Sequence, residues 1–305
     1  MSRRPMALAV GAGLATLPAV ARAHGGEAGV QTSLWTEGPG VLALLATVAV
    51  PYAHGVRRLW SNAGHGRGIG VAEAASFAAG IGVLAIALLG PLAVPATDEF
   101  SGHMAQHLLL IVVAAPLLAF GQPARAYAWA LRGSGAGASA LRRGHQLADG
   151  PVASALTHPA MLLVITIGVT WTWHVPPLYD LAARREVVHG VEHVTMLGAA
   201  FAFWWRIRSL ELGAPRRRVA AFFLLFAAMF PELVLGAFIA FAGEPLYESH
   251  RLATEARGGD PLADQQLGGL VMLMLGGVVY AGVALTGLLR VLSQPEARPE
   301  RGWEA

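Results

Sequence analysis

Seven stretches of this chain stay apolar for about twenty residues each, and that pattern limits the fold more than any other feature. A helix needs roughly 20 mostly apolar residues to cross the hydrocarbon core of a bilayer. The stretches run over about 39–58, 69–92, 103–122, 152–174, 187–207, 217–242 and 267–290. Backbone polar groups inside lipid must be satisfied within the segment itself, so each stretch predicts a helix. The expected fold class is all-α: a polytopic membrane helix bundle with seven transmembrane helices. The composition agrees, since only 13% of the 305 residues are charged, about half the share of a soluble protein.

The N-terminus reads as a secretory signal peptide. Arg3 and Arg4 supply the charged region, Ala7 to Val20 the apolar core, and Ala21-Arg22-Ala23 an A-x-A cleavage site. The expected organisation is a signal peptide at 1–23, a periplasmic N-terminal segment at 24–38, a seven-span membrane domain at 39–290 and a cytoplasmic tail at 291–305. Cleavage after Ala23 leaves His24 first, where its α-amine and ring nitrogen would chelate copper(II).

The chain contains no Lys, so its net charge of +3 rests on Arg. A basic balance can mark a nucleic-acid binder, but these Arg residues sit in short loops between apolar runs. That placement is a topology signal, because basic residues collect on the cytoplasmic side. With the N-terminus outside, the inner side holds Arg57, Arg58, Arg67, Arg125, Arg132, Arg142, Arg143, Arg206, Arg208, Arg216 to Arg218, Arg290, Arg298 and Arg301. The outer side holds only Arg184, Arg185, Arg251 and Arg257. The expectation is a multi-pass protein of the bacterial inner membrane, with a periplasmic N-terminus, a cytoplasmic C-terminus, lipid as its surroundings and no nucleic-acid partner. The outer segment 243–266 reads as an ordinary hydrated loop.

On this topology the histidines gather at the outer face. His103 and His107 open the third span, His174 closes the fourth, and His189 and His193 open the fifth. Residues four apart share a helix face, so two of these sets are facing pairs that offer two imidazoles to one metal. Ionisable groups inside a membrane are costly and usually face the bundle interior or a functional path. His54, His65, His145, His158 and His250 carry no such pattern and read as ordinary interfacial or loop histidines.

With no Cys, a metal must be held by His, Met or carboxylate. Imidazole suits zinc, copper, iron and nickel, and thioether favours copper(I). Met104 lies beside His103, Met196 follows His193, and the seventh span carries Met272 and Met274. The candidate metal ligands are His103, His107, His174, His189 and His193, with His24, Met104 and Glu192 as possible additions. Ligand histidines need a partner for the second ring nitrogen, and Asp98, Gln106, Tyr179, Asp180 and Glu192 are within reach. Glu232, beside Pro231 in the sixth span, is either a relay or a protonated interhelical carboxyl.

The segments His103-Met104-Ala105-Gln106-His107, Thr172-Trp173-His174-Val175-Pro176-Pro177-Leu178-Tyr179 and His189-Gly190-Val191-Glu192-His193 resemble the signature segments of the bacterial CtaG-type cytochrome c oxidase assembly proteins. The resemblance runs from about 40 to 290 and does not extend to the unrelated single-span copper chaperone that shares the family name. It implies a seven-span assembly factor, not an enzyme, linked to copper delivery to haem–copper oxidases. Copper, as Cu(I), would then be the bound metal, with an oxidase subunit as partner and a periplasmic copper chaperone as donor.

Two other classes stay open. His189-x-x-Glu192-His193 matches the H-x-x-E-H pattern of zinc hydrolases, where two His hold zinc and Glu activates water. His174 would be its third ligand. Paired histidines also serve as axial ligands of haem b, although such ligands usually lie deeper.

Overall fold

The computed structural model describes residues 34–90, 92, 99–133, 135–148 and 150–293. The expected signal peptide, its cleavage site, His24, Asp98 and nearly all of the C-terminal tail lie outside the described residues. Every regular element among the described residues is helical, as the apolar runs require.

In chain order these are α1 (Leu34–Ala63), α2 (Val71–Leu89), α3 (Phe100–Phe120), α4 (Pro123–Ala130), α5 (Gly135–Ala148) and α6 (Pro151–Leu156). There follow α7 (Pro159–Trp173), α8 (Pro176–Arg184), α9 (Glu186–Glu211), α10 (Pro215–Ala240) and α11 (Glu248–Ala256). The last is α12, built from Pro261–Val271, Met272–Gly276 and Gly277–Leu292 in one run. Five of these helices are long and apolar enough to cross a membrane: α1, α2, α3, α10 and α12. A sixth crossing is available if α7 and α8, bent by 72° at their junction, form one broken span. The expected count of seven thus stands at five to six by length and apolarity. The fifth apolar stretch is a continuous 26-residue helix, α9. His189, Glu192 and His193 in its first turns lower its hydropathy.

Two boundaries differ from the sequence reading, both because of proline. The stretch 152–174 is not one helix: it breaks at Thr157 and His158, where Pro159 forces the preceding residue into the extended region. At the other end His174 caps α7, and Val175, held extended by Pro176, turns the chain into α8. The segment 243–266 is also not a plain loop. It contains α11, whose buried face carries His250 and Thr254.

Without a hydrophobic drive between helices in lipid, tight backbone approach and interhelical hydrogen bonds hold such a bundle. At Gly269 of α12, an added Cβ would stand 2.4 Å from the Ala240 nitrogen of α10. Next to it, a Cβ on Gly268 would fall 2.5 Å from the Phe100 ring. These two glycines let α12 lie against both α10 and the start of α3.

α3 runs through the middle of the molecule. Over Leu109–Ala114 it widens to a π turn, and the Ala115 N–H bonds back to the Leu110 carbonyl. In that register the Ile111 carbonyl would next meet residue 116, but Pro116 has no N–H. The Trp204 indole of α9 donates to it instead, at 3.0 Å. Further along, Ser76 of α2 donates to Leu117 O at 2.8 Å and Tyr52 of α1 to Gly121 O at 2.7 Å. The Trp204 bond ties α3 to α9, and the other two tie it to α2 and α1, so together they hold the rotation of the helix that carries His103 and His107.

Candidate metal centre

The first turns of α3 and α9 and the bend between α7 and α8 meet at one end of the bundle. His103 and His107 come from α3, His189, Glu192 and His193 from α9, and His174 from the bend. All five histidines expected from spacing therefore come together. His103, His107, His174 and Glu192 are buried, while His189 and His193 are half-buried. One ligand atom from each of His103, His107, His189 and Glu192 lies within 4.8 Å of the other three. Glu192 places Oε1 3.7 Å from His107 Nε2 and Oε2 4.0 Å from His103 Nε2.

The ring geometry is a compact stack. Ring centroids are 4.2 Å apart for His103–His107 and for His189–His193, the pairs along each helix. Across helices they are 5.2 Å for His103–His189, 5.3 Å for His107–His193 and 6.3 Å for His107–His174.

Burial of polar groups is normally matched by hydrogen bonds. Here both ring nitrogens of His107, Nε2 of His174, His189 and His193, and both Glu192 oxygens have no hydrogen-bond partner among the described residues. Several imidazole lone pairs and a carboxylate converging without protein partners is the donor set that a divalent or monovalent transition metal needs. These residues fit such an ion. His174 shows how one ligand is prepared. Its Nδ1–H donates to the Thr170 carbonyl at 2.7 Å, which leaves Nε2 as the lone-pair nitrogen.

The supports around the site come from other helices. The N-terminus of α3 leaves backbone N–H groups that need acceptors. Asp264 of α12 supplies them, accepting from Phe100 N at 2.7 Å, Ser101 N at 3.2 Å and Ser101 Oγ at 2.5 Å. Asp180 of α8 does the same for α11, accepting from Ser249 N at 2.9 Å and Ser249 Oγ at 2.6 Å. One of the expected second-ring-nitrogen acceptors, Asp180, is thus engaged elsewhere as this cap; Gln106 donates Nε2 to Ala87 O at 2.8 Å, while its Oε1 accepts no hydrogen bond among the described residues. Tyr247 donates to the His174 carbonyl at 3.1 Å. Burial, and then Asp180, hold its phenol above the ordinary range, so it stays a donor.

His250 is the residue the sequence reading passed over. It is buried, and its ring lies 5.6 Å from that of His103 and 5.6 Å from that of Tyr179. No spacing pattern could have flagged it, because it is a lone His in a charged segment. The methionines divide: Met104 is fully buried against Gly268, whereas Met274 is 59% exposed and faces away from the interior. Glu232 is buried in α10 and hydrogen-bonds the Thr170 side chain, one residue link from His174.

No solved structure matches this chain. An uncharacterized protein of Mycobacterium leprae (strain TN) is 31% identical over 134 residues, covering 43% of this chain and 20% of that relative. The chain therefore spans only a minor part of the relative's length. A family model described as cytochrome c oxidase caa3 assembly factor (Caa3_CtaG) matches residues 50–294. That match takes in all three histidine-bearing segments, α11 and the helices that orient them, and on its extent the chain belongs to the cytochrome c oxidase caa3 assembly factor family.

Proposed function

We propose that this protein holds copper(I) at the periplasmic end of a seven-span bundle in the bacterial inner membrane and passes it to a haem–copper cytochrome c oxidase during assembly. The observation that carries the reading is the convergence of ligand atoms from His103, His107, His189 and Glu192 within 4.8 Å of one another, with both His107 ring nitrogens, Nε2 of His174, His189 and His193 and both Glu192 oxygens making no hydrogen bond among the described residues. Copper is cargo here, not a resident cofactor. His103, His107, His174, His189 and His193 would hold it, and the Glu192 carboxylate offsets its charge. More imidazoles converge than one ion needs, so one can leave as a recipient's ligand arrives.

The seven-span topology takes α9 as a full crossing, since 26 residues reach about 39 Å at 1.5 Å per residue. It takes α7 with α8 as a broken crossing. The outward N-terminus follows the Arg distribution and puts the histidines on the periplasmic side, where a copper chaperone and the oxidase subunit are accessible. The signal peptide at 1–23 and the copper(II) chelate at His24 belong to the same proposal, and N-terminal sequencing checks them.

The test is metal content and oxidase activity together. A His107→Ala/His193→Ala variant should purify with less copper than the unaltered protein and leave cells short of active oxidase. Full copper and full oxidase activity in that variant would overturn the reading. The zinc-hydrolase alternative is favoured by one feature, the position of Glu192 among the histidines. Stoichiometric zinc in the purified protein would support it, and intact oxidase assembly in a Glu192→Gln variant would count against it.

A further inference from the structure

We infer that the histidines form two metal positions, one helical turn apart, and that His250 of α11 completes the shallower one. The inference rests on the copper reading above and goes beyond it by dividing the cluster and adding a ligand that no sequence pattern marks. An imidazole nitrogen holds its metal at about 2.0–2.1 Å, which puts the ion about 3.2 Å from the ring centroid. Two rings sharing an ion at a tetrahedral angle then have centroids about 5 Å apart, and about 6.4 Å is the limit for opposed rings.

The pairs along each helix, at 4.2 Å, are closer than tetrahedral sharing allows. The pairs across helices fit. His103 lies 5.2 Å from His189 and 5.6 Å from His250, so its ring is within sharing distance of both. One turn along α3, His107 lies 5.3 Å from His193 and 6.3 Å from His174, within sharing distance of those two. The 6.3 Å spacing calls for a near-linear arrangement, which copper(I) accepts readily. The diagonal pair His103–His193, at 6.4 Å, stands at the limit.

Glu192 sits between the two levels. Its Oε2 faces His103 and its Oε1 faces His107, so a single carboxylate offers one oxygen to each. His250 reaches the first level because Asp180 caps α11 and because Tyr179 and Tyr247 pack beside it. Tyr179 contacts His103 at 5.2 Å, His250 at 5.6 Å and Tyr247 at 4.2 Å between centroids. The opposite face of α11 carries Arg251 with Glu248 and Glu255, in exposed ion pairs. His250 is thus the member of the cluster borne on α11, outside the helices that carry the other five histidines. The ion would then pass from His103, His189 and His250 to His107, His174 and His193 by exchanging one imidazole at a time, with no change of oxidation state.

The test is an anaerobic titration of the full-length purified protein with copper(I) against a chromogenic copper(I) chelator. The unaltered protein should withdraw two equivalents. His250→Ala should withdraw one tightly and bind the second at least tenfold more weakly. His107→Ala/His193→Ala should keep the equivalent that depends on His250. If His250→Ala unfolds, His250→Gln serves in its place, and the count for the unaltered protein already decides. One equivalent in the unaltered protein, or two with unchanged affinity in the His250 variant, overturns the two-position arrangement while leaving copper binding in place. No uptake by any of the proteins overturns the copper reading itself.

Discussion

At one end of the bundle Glu73 accepts from Arg208, from Gln122 and, at 2.9 Å, from the Gly70 N–H. At the other end Glu192 is more deeply buried, 1% exposed against 26%, and accepts no hydrogen bond from any described residue. Both carboxylates join helices, α2 to α9 in the first case and α9 to α3 in the second. The Glu73 end is complete within the chain: Arg208 also lies over the Phe120 ring, and Gln122 holds the left-handed turn (φ 54°) that starts α4. The Glu192 end leaves both carboxyl oxygens without a hydrogen-bond donor among the described residues. A carboxylate with its own donors ties two helices together, while a buried carboxyl without them carries a desolvation cost that the fold itself does not offset.

That contrast can be broken by substitution. The largest effect is expected from Glu73→Ala, which strands Arg208 and should cost about 2–3 kcal/mol of stability, measured by unfolding of the metal-free protein in detergent. Glu192→Gln should do the reverse. Removing a buried carboxyl that accepts no hydrogen bond should stabilise the metal-free protein by about 1 kcal/mol, and copper addition should no longer raise its Tm. If Glu192→Gln destabilises as Glu73→Ala does, the two ends are alike and the comparison fails. The smallest effect is expected from Asp264→Ala. Losing the cap of α3 should cost about 1 kcal/mol and weaken copper binding through His103, whereas a cap unrelated to the site would leave the copper titration unchanged.

Much of this was legible in the sequence. The apolar runs place the helices within a few residues, and the four-residue spacing puts His103 with His107 and His189 with His193 at one end. The missing parts depend on contacts between distant segments. His250 joins the cluster only because Asp180, 69 positions away, holds Ser249, and one sequence gives no period for such a link. The spacing argument offered each pair to one metal. Spacing along one helix could not show that His189 and Glu192 of α9 bring ligand atoms within 4.8 Å of those of His103 and His107 on α3. The break at His158 was readable from Pro159. The bend at His174 was readable from Pro176, although its 72° angle was not.

The cap on α3 has a consequence for how the protein is made. Ser101 and Asp264 are 163 positions apart, and at about 5–20 residues per second the ribosome needs roughly 10–30 s to go from one to the other. Within that interval His103, His107, His174, His189 and His193 are all synthesised, yet until its end the helix end that aims His103 lacks its acceptor. A nascent chain exposes a histidine-rich surface before it has a finished site, and only the arrival of the last helix turns that surface into one. Translation itself therefore orders the events: the histidine-bearing helices come first, and the cap that sets the start of α3 comes only with Asp264.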